Sequence, residues 1–198
     1  VRTVDPVRHE ARRRHIVEAA AVCFARKGFE KTTTAEIRTA AGISTGSLFH
    51  YFPSKRAIFR AVFELDGEET ARKIAEAGNA ADPWAAILDL VDFLTAPLAD
   101  PAVAGLAVEA VAQAGRDPEF AALITRNDHA LREGLAGLLR RAAAQHRIDQ
   151  DLDPATAATW IVTLVDALYS RASMDPDFTL SGQLPILRLV LTRFLQGR

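Results

Sequence analysis

The sequence predicts an all-α protein, a three-helix head followed by a larger helical body, about nine helices in all. Three observations carry this expectation. Apolar residues recur at helical spacing through nearly every segment, and no alternating β-branched run appears. Asp-Pro or a Ser/Thr cap opens one segment after another, and Gly closes several of them. Charge is also divided: residues 1–64 hold 12 Lys and Arg against 6 Asp and Glu, while the remainder holds 12 against 19. A chain of 198 residues with net charge -1 therefore has a basic end and an acidic one, the footprint of a nucleic-acid-binding head on a non-binding body.

The first helix is expected over residues 8–27, with Ile16, Ala20, Cys23 and Phe24 on one face and Gly28 as its stop. A basic arm from Arg2 to Arg14 runs into it. Arg12, Arg13 and Arg14 either solvate that helix or track a nucleic-acid backbone, as basic arms do. Phe29 returns the chain to the core.

Residues 32–56, TTTAEIRTAAGISTGSLFHYFPSKR, are the most specific stretch. Thr33 and Glu36 have capping-box spacing, in which hydroxyl and carboxylate each satisfy an orphan backbone N–H. The short helix they open carries Ile37 and either Ala40 or Ala41 inward and stops at Gly42, suited to a left-handed C-cap. Ser44 caps the next helix, where Leu48, Phe49 and Phe52 fall at helical spacing. Two short helices about a Gly-centred turn form a helix-turn-helix, whose second helix fits the DNA major groove. The outward positions of that helix, Thr45, Gly46, Ser47, His50 and Tyr51, are small or hydrogen-bonding and include no acid. Pro53 ends it, and Ser54 caps a helix that opens with Lys55 and Arg56 and reads as continuous through residue 77. A helix shared by head and body is a lever.

In the body, Asp82-Pro83 opens a helix lined by Trp84, Ile87, Leu88, Val91 and Leu94, disrupted at Pro97. Asp100-Pro101 restarts the chain through residue 114, with Val103, Leu106, Ala110 and Val111 inward. Asp117-Pro118 begins a long helix to about residue 146, its face running Phe120, Ile124, Asn127, Leu131, Leu135 and Leu138. Asp153-Pro154 begins another, ended by Asp175-Pro176, and a final helix spans residues 181–196. The unequal lengths exclude a solenoid repeat.

The last two helices are apolar around more of their girth than one buried face requires. That is expected of helices packed on another chain, through Trp160, Leu164, Leu168, Leu187, Val190, Leu191 and Phe194. A two-fold dimer would present two recognition helices to a palindrome. Between the lever helix and the helices carrying Leu88, Val91, Leu106, Val111, Ile124 and Leu131, a largely apolar ligand space is expected. Asn127 interrupts an apolar stripe there, either as a pocket polar group or as a hydrogen bond to a neighbouring helix. Trp84, Phe93, Trp160 and Tyr169 are core aromatics or ligand stackers; Glu109 and Gln113, four residues apart, sit on a solvated face or reach a ligand.

Several classes are not supported. Five histidines show no metal-ligand spacing, and no P-loop, G-x-S-x-G or dinucleotide fingerprint appears, so neither an enzyme nor a cofactor is expected. The single Cys23 cannot form an intramolecular disulfide; it packs in the core or senses redox state. No segment approaches the ~18 apolar residues of a membrane span, and a cytoplasmic protein is expected.

The run T-T-x-x-x-I-x-x-x-A-G-I-S-x-G-S-L-F-x-Y-F-x-x-K closely resembles the N-terminal signature of the TetR family of transcriptional repressors, over the first quarter to third of the chain. The resemblance implies phosphate contacts by Thr34, Ser44, Ser47, Tyr51 and Lys55, and base-edge contacts by Thr45, Gly46 and His50. Thr33 and Phe49 complete the DNA-facing set, Phe49 standing where many relatives have Tyr. The family dimerises through its last two helices in a four-helix bundle. The run E-x-V-A-x-A-x-R-D-P at residues 109–118 is similar to the C-terminal domain of the betaine-regulator-like subgroup. The resemblance thus implies a helix-turn-helix DNA-binding domain over residues 1–54 and a ligand-binding and dimerisation domain over residues 55–198. The implied protein is a homodimeric repressor of a palindromic operator on double-stranded DNA, released by an unidentified small, mostly apolar effector. A ligand-independent architectural DNA-binding protein and an all-α metabolic enzyme are the alternatives.

Overall fold

The computed structural model describes residues 5–197, and all regular structure among them is helical. The helices are α1 (Pro6–Lys31), α2 (Thr34–Ala40), α3 (Thr45–Tyr51), α4 (Lys55–Gly78), α5 (Pro83–Thr95), α6 (Pro101–Ala114), α7 (Pro118–Ala144), α8 (Pro154–Met174) and α9 (Leu180–Gln196), with a 3-10 turn at Ala96–Ala99. Arg2 of the expected arm lies outside the described residues.

The repeated Asp-Pro device works as the sequence predicts in the body, and it also opens α1, which begins at Pro6 and not at the expected residue 8. Asp5, Asp82, Asp100, Asp117 and Asp153 each accept backbone N–H groups of the following turn, with Pro at the start of the helix, where its missing donor costs nothing. At Gly28 the chain turns to φ 74° and ψ 170°, so the helical run of α1 is broken there and continues for one further turn. The side-chain hydroxyl of the buried Thr32 closes that turn by donating to the Gly28 carbonyl at 2.7 Å.

Two cores form. The first is rich in aromatic rings: Phe24 and Phe29 from the head and Phe59 of α4 meet Phe120 from α7, with successive ring centroids 4.9–5.9 Å apart. Leu106 and Ala110 of α6 and Leu123 of α7 belong to this same core. The second is aliphatic, built from Ile87, Leu90 and Val91 of α5, Leu135 and Leu139 of α7, Ile161 and Val165 of α8, and Leu187, Leu191 and Leu195 of α9. Helix α4 crosses from one to the other and packs along α7, where glycines permit close approach. A Cβ on Gly134 would lie 2.4 Å from Ile74, and one on Gly67 would lie 2.5 Å from the Asn127 amide. Arg188 of α9 forms a bidentate pair with Asp92 of α5, and the Asp149 N–H donates to the Leu195 carbonyl at 2.7 Å, fixing the last helix at its middle and at its C-terminal end.

Some faces differ from expectation. Val111, expected inward, is 75% exposed, because α6 turns its Leu106–Ala110 side to the first core. On α9, Leu187 and Leu191 are buried within the protomer, while Ile186, Leu189 and Val190 face outward.

Candidate DNA interface and effector region

The helix-turn-helix is assembled by local hydrogen bonds. Thr33 Oγ1 accepts from the Glu36 N–H at 3.2 Å, and Glu36 accepts from the Thr33 N–H at 2.9 Å, completing the capping box. The carboxyl of Glu36 is held down to about 2, first by its ion pair with Lys27 of α1 and then by the two Thr33 donors. Gly42 has φ 62°, the left-handed turn that separates α2 from α3. Ser44 Oγ accepts from the Ser47 N–H at 3.1 Å and caps α3. Ile37, Leu48 and Phe52 are buried beneath the unit, with Ala41, rather than Ala40, as the inward alanine.

The outward face of α3 carries Thr45, Gly46, Phe49 and His50 exposed, with Ser47 and Tyr51 half-buried. Ser44 and Thr33 are exposed at the two caps, and Thr34 is half-buried at the start of α2. Nine of the ten expected DNA-facing residues are thus exposed or half-buried around α2 and α3. In the tenth, Lys55, the charged group is occupied. Its ammonium donates to the carbonyls of Phe29, Glu30 and Thr32 at 2.7, 3.1 and 2.9 Å, and lies 4.5 Å from the Phe29 ring centroid. A lysine has three donors, and all three are committed to the carbonyl end of α1. The expected free phosphate donor is a cap on the first helix.

Within the arginine run the two readings divide. Arg13 pairs with Glu64 and Arg14 with Glu69 across to α4, at 3.2 and 2.7 Å, and Arg13 also stacks over Phe52; Arg12 is exposed. Cys23 is half-buried against the first core, and burial, reinforced by Glu36, raises its thiol pKa, which disfavours the reactive thiolate.

The expected effector residues do not converge. Glu109 accepts from the buried Gln113 amide at 2.9 Å, and its second oxygen lies against Gly28; the pair is a seam between α6 and the end of α1, not a solvated face or a pocket wall. Asn127 donates to the Phe63 carbonyl of α4 at 2.9 Å, the hydrogen bond to a neighbouring helix that was the alternative to a pocket role. Trp84 and Phe93 pack half-buried on the second core, and Trp160 is 52% exposed on the outside of α8. Tyr169 is anchored by donation to the Leu94 carbonyl at 2.8 Å.

Tyr169 also marks a region that sequence reasoning missed. Its phenol is pushed well above the usual range, first by desolvation and then by the Asp66 and Asp166 carboxylates. Asp66 on α4 is raised by desolvation and by Glu69, and Asp166 on α8 by desolvation and by Asp128 of α7. Both aspartates are exposed, and both stand near enough to the half-buried Tyr169 phenol to raise its pKa. The available signal was the three-residue spacing of Asp166 and Tyr169, which places both on one side of a helix. Two open clefts are present: one of about 190 Å³ between α7 and α8, lined by Arg132, Glu133 and Thr156, and one of about 670 Å³ lined by His146, Asp149, Gln150 and Gln196. No single helix is long and apolar enough to cross a membrane.

Comparison with known proteins agrees with this architecture. Residues 16–62 match the family described as bacterial regulatory proteins, tetR family, and residues 85–196 match the BetI-type transcriptional repressor C-terminal domain. The chain is 29% identical to the HTH-type transcriptional regulator YfiR of Bacillus subtilis, over 95% of this chain and 94% of that one. It is 30% identical to the HTH-type transcriptional repressor AcnR of Corynebacterium efficiens, over 80% of each. A transcriptional regulator from Saccharomonospora viridis, solved in complex with choline, superposes with a TM-score of 0.80 at 20% identity, covering 96% of this chain and all of that one. These relatives are regulators and not enzymes. With an exposed, capped recognition helix on a basic head and a matching C-terminal domain, this chain belongs to the TetR family of DNA-binding transcriptional regulators.

Proposed function

We propose that the protein is a homodimeric repressor that reads a palindromic operator with α3 and leaves it when a small effector binds the body. The observation that carries this reading is the face of α3, where Thr45, Gly46 and His50 stand exposed for base edges, with Ser44, Ser47, Tyr51 and Thr34 around them for phosphates. Thr33 and Phe49 border the same surface. Dimerisation is supported by large apolar side chains left on the outside of the last two helices: Trp160 at 52% exposure, Ile186 at 55%, Leu189 at 44% and Val190 at 42%, beside half-buried Leu164, Leu168 and Phe194. The buried Leu187 and Leu191 are not part of that face.

The effector region we favour is the one around Asp66, Asp166 and Tyr169. Two carboxylates beside the Tyr169 phenol favour a cationic group on an otherwise apolar molecule, which sharpens the expectation of a mostly apolar ligand. Choline, found on the Saccharomonospora viridis neighbour, is a suitable first probe. An effector displaces DNA only in proportion to its preference for the non-binding arrangement of the two heads. Helix α4, which joins both cores, would carry the change. The second reading, a ligand-independent architectural DNA binder in the cytoplasm, is favoured by the glycine-mediated close packing of α4 on α7.

Gel-shift titration on the DNA upstream of its own gene, repeated over a range of salt, tests the first reading. Selective binding that weakens with salt and is released by a compound that also raises the melting temperature is the expected result. Binding that is indifferent to every compound in a cationic and apolar panel would instead favour the architectural reading.

A further inference from the structure

We infer that His9, in the first turn of α1, is a positioning residue for sequence recognition: it fixes the orientation of the base-facing His50 and of Tyr51 on α3. The inference rests on the DNA-reading role given to α3 above. The three rings form a closed cluster although His9 and His50 are far apart in sequence. His9 lies 4.6 Å from Tyr51, tilted by 34°, and 6.1 Å from His50 in an edge-to-face arrangement; His50 and Tyr51 are themselves edge-to-face at 5.3 Å.

Two further observations show that the contact is held and not incidental. His9 is half-buried while Val7, Arg8 and Glu10 around it are exposed, so its cover comes from the packed neighbours of α3. The turn that carries it is pinned: Asp5 accepts from the Val7 and Arg8 N–H groups at 3.1 and 3.4 Å, and the His9 N–H donates to the Asp5 carbonyl at 3.0 Å. Among the described residues, neither the ring nitrogens of His9 and His50 nor the Tyr51 hydroxyl engage in a hydrogen bond with the protein, which leaves those groups available to DNA. The acids nearest in sequence, Asp5 and Glu10, face Arg8 and Arg13 at 3.5 and 3.6 Å.

A histidine on an exposed helix face samples several rotamers, and a base contact made from one of them is weakened by the time spent in the others. Ring packing of this kind holds one orientation by a margin worth up to about tenfold. His9 would thus act through His50 and Tyr51 without needing to touch a base.

The test begins with a DNA site selected from a random-sequence pool by the unmodified protein. Affinities for that site and for its single base-pair variants are then measured for the parent, His9→Ala, His50→Ala, the double variant and His9→Phe, together with melting temperatures. His9→Ala should lose about five- to tenfold on the selected site, with discrimination reduced at the base pair that His50→Ala also relaxes. The double variant should lose clearly less than the product of the two single losses, the remainder being the part of His9's effect that runs through Tyr51. His9→Phe, which restores a ring, should recover most of the loss; this arm decides the matter should His9→Ala also lower the melting temperature. A His9→Ala protein within about twofold of the parent, losses at His9 and His50 that multiply, or no recovery with Phe would each overturn the inference while leaving the regulator reading intact. Failure of the parent to select any site would overturn both.

Discussion

Two carboxylates, one in the head and one in the body, are treated in opposite ways. Glu36, in the first turn of α2, is surrounded by donors: Lys27 from α1 and both the N–H and hydroxyl of Thr33. Its folded-state pKa is depressed to about 2, so ionisation stabilises the fold. Asp66, midway along α4, is desolvated and faces Glu69, and its pKa is raised, so ionisation there opposes folding. Asp166 on α8 behaves as Asp66 does, with Asp128 as its neighbour. The head uses charge to fix the shape of a small unit that must meet DNA in one geometry. The body keeps charge in a place where the fold gains nothing from it, and unfavourable desolvation of that kind can be relieved by a bound cation.

The strongest way to break this contrast is to remove what joins the two regions. Phe59 is buried, and its ring packs against Phe24 and Phe29 of the head, Phe63 of its own helix and Phe120 of the body. Phe59→Ala should cost about 3–5 kcal/mol in chemical denaturation. Because α6 and α7 contribute to the same core, both the DNA-binding and effector-binding signals should decline together. Retention of either one at full strength would show the two regions to be energetically separate.

A smaller effect tests how closely the lever is held. Gly134 lets Ile74 of α4 lie directly on α7, and an added methyl would come within 2.4 Å of it. Gly134→Ala should destabilise by about 1–3 kcal/mol, and combining it with Ile74→Ala should cost less than the sum of the two single changes. Additive losses would mean that the overlap is relieved elsewhere.

Most of the scaffold was legible because its signals are local. Asp-Pro caps, the Thr33–Glu36 box and Gly42 each act within one turn, and the helices begin where those residues place them. The exposure of Thr45, Gly46 and His50 was legible for the same reason, since the outward side of a seven-residue helix follows from spacing. What could not be read was which distant group meets a given side chain. Lys55 reads as a free cation in sequence, yet the three carbonyls that occupy it lie 23–26 residues earlier. Asn127 reads as a polar interruption, and its partner carbonyl is 64 residues away on α4. The effector region was illegible for a related reason: Asp66 opens a charged run that reads as solvated, and nothing in its spacing places it beside Tyr169 of α8. On α9, the stripe of Leu187 and Leu191 was found, but helical spacing alone gives no rule for which of two apolar faces turns inward.

In the head, the contrast can be sharpened with pH. Glu36 has a folded pKa below its unfolded value of ~4.3, so its contribution is fully present above that pH and is lost as pH falls toward about 2. Glu36→Gln should therefore be less stable than the parent near neutrality, with the difference closing through that window. A difference that persists unchanged at pH 2 would place the effect in the shape of the capping box and not in its charge.

The body should show the opposite sign, in a smaller effect, because Asp66 is exposed and its charge is screened by solvent. Its folded pKa lies above the unfolded value of ~3.9, so the cost of its charge is absent below that pH and appears as pH rises through the raised folded value. Asp66→Asn should thus melt at a higher temperature than the parent at pH 7, and the gain should vanish near pH 3. A gain surviving at pH 3 would be one of packing, and a loss at pH 7 would mean that the carboxylate has a favourable partner after all. Choline adds a second axis to the same measurement. If the carboxylate serves a cation, the rise in melting temperature with choline should be smaller in Asp66→Asn than in the parent at pH 7, and the two should converge at low pH. This follows because protonating Asp66 and replacing it with Asn remove the same charge from that region.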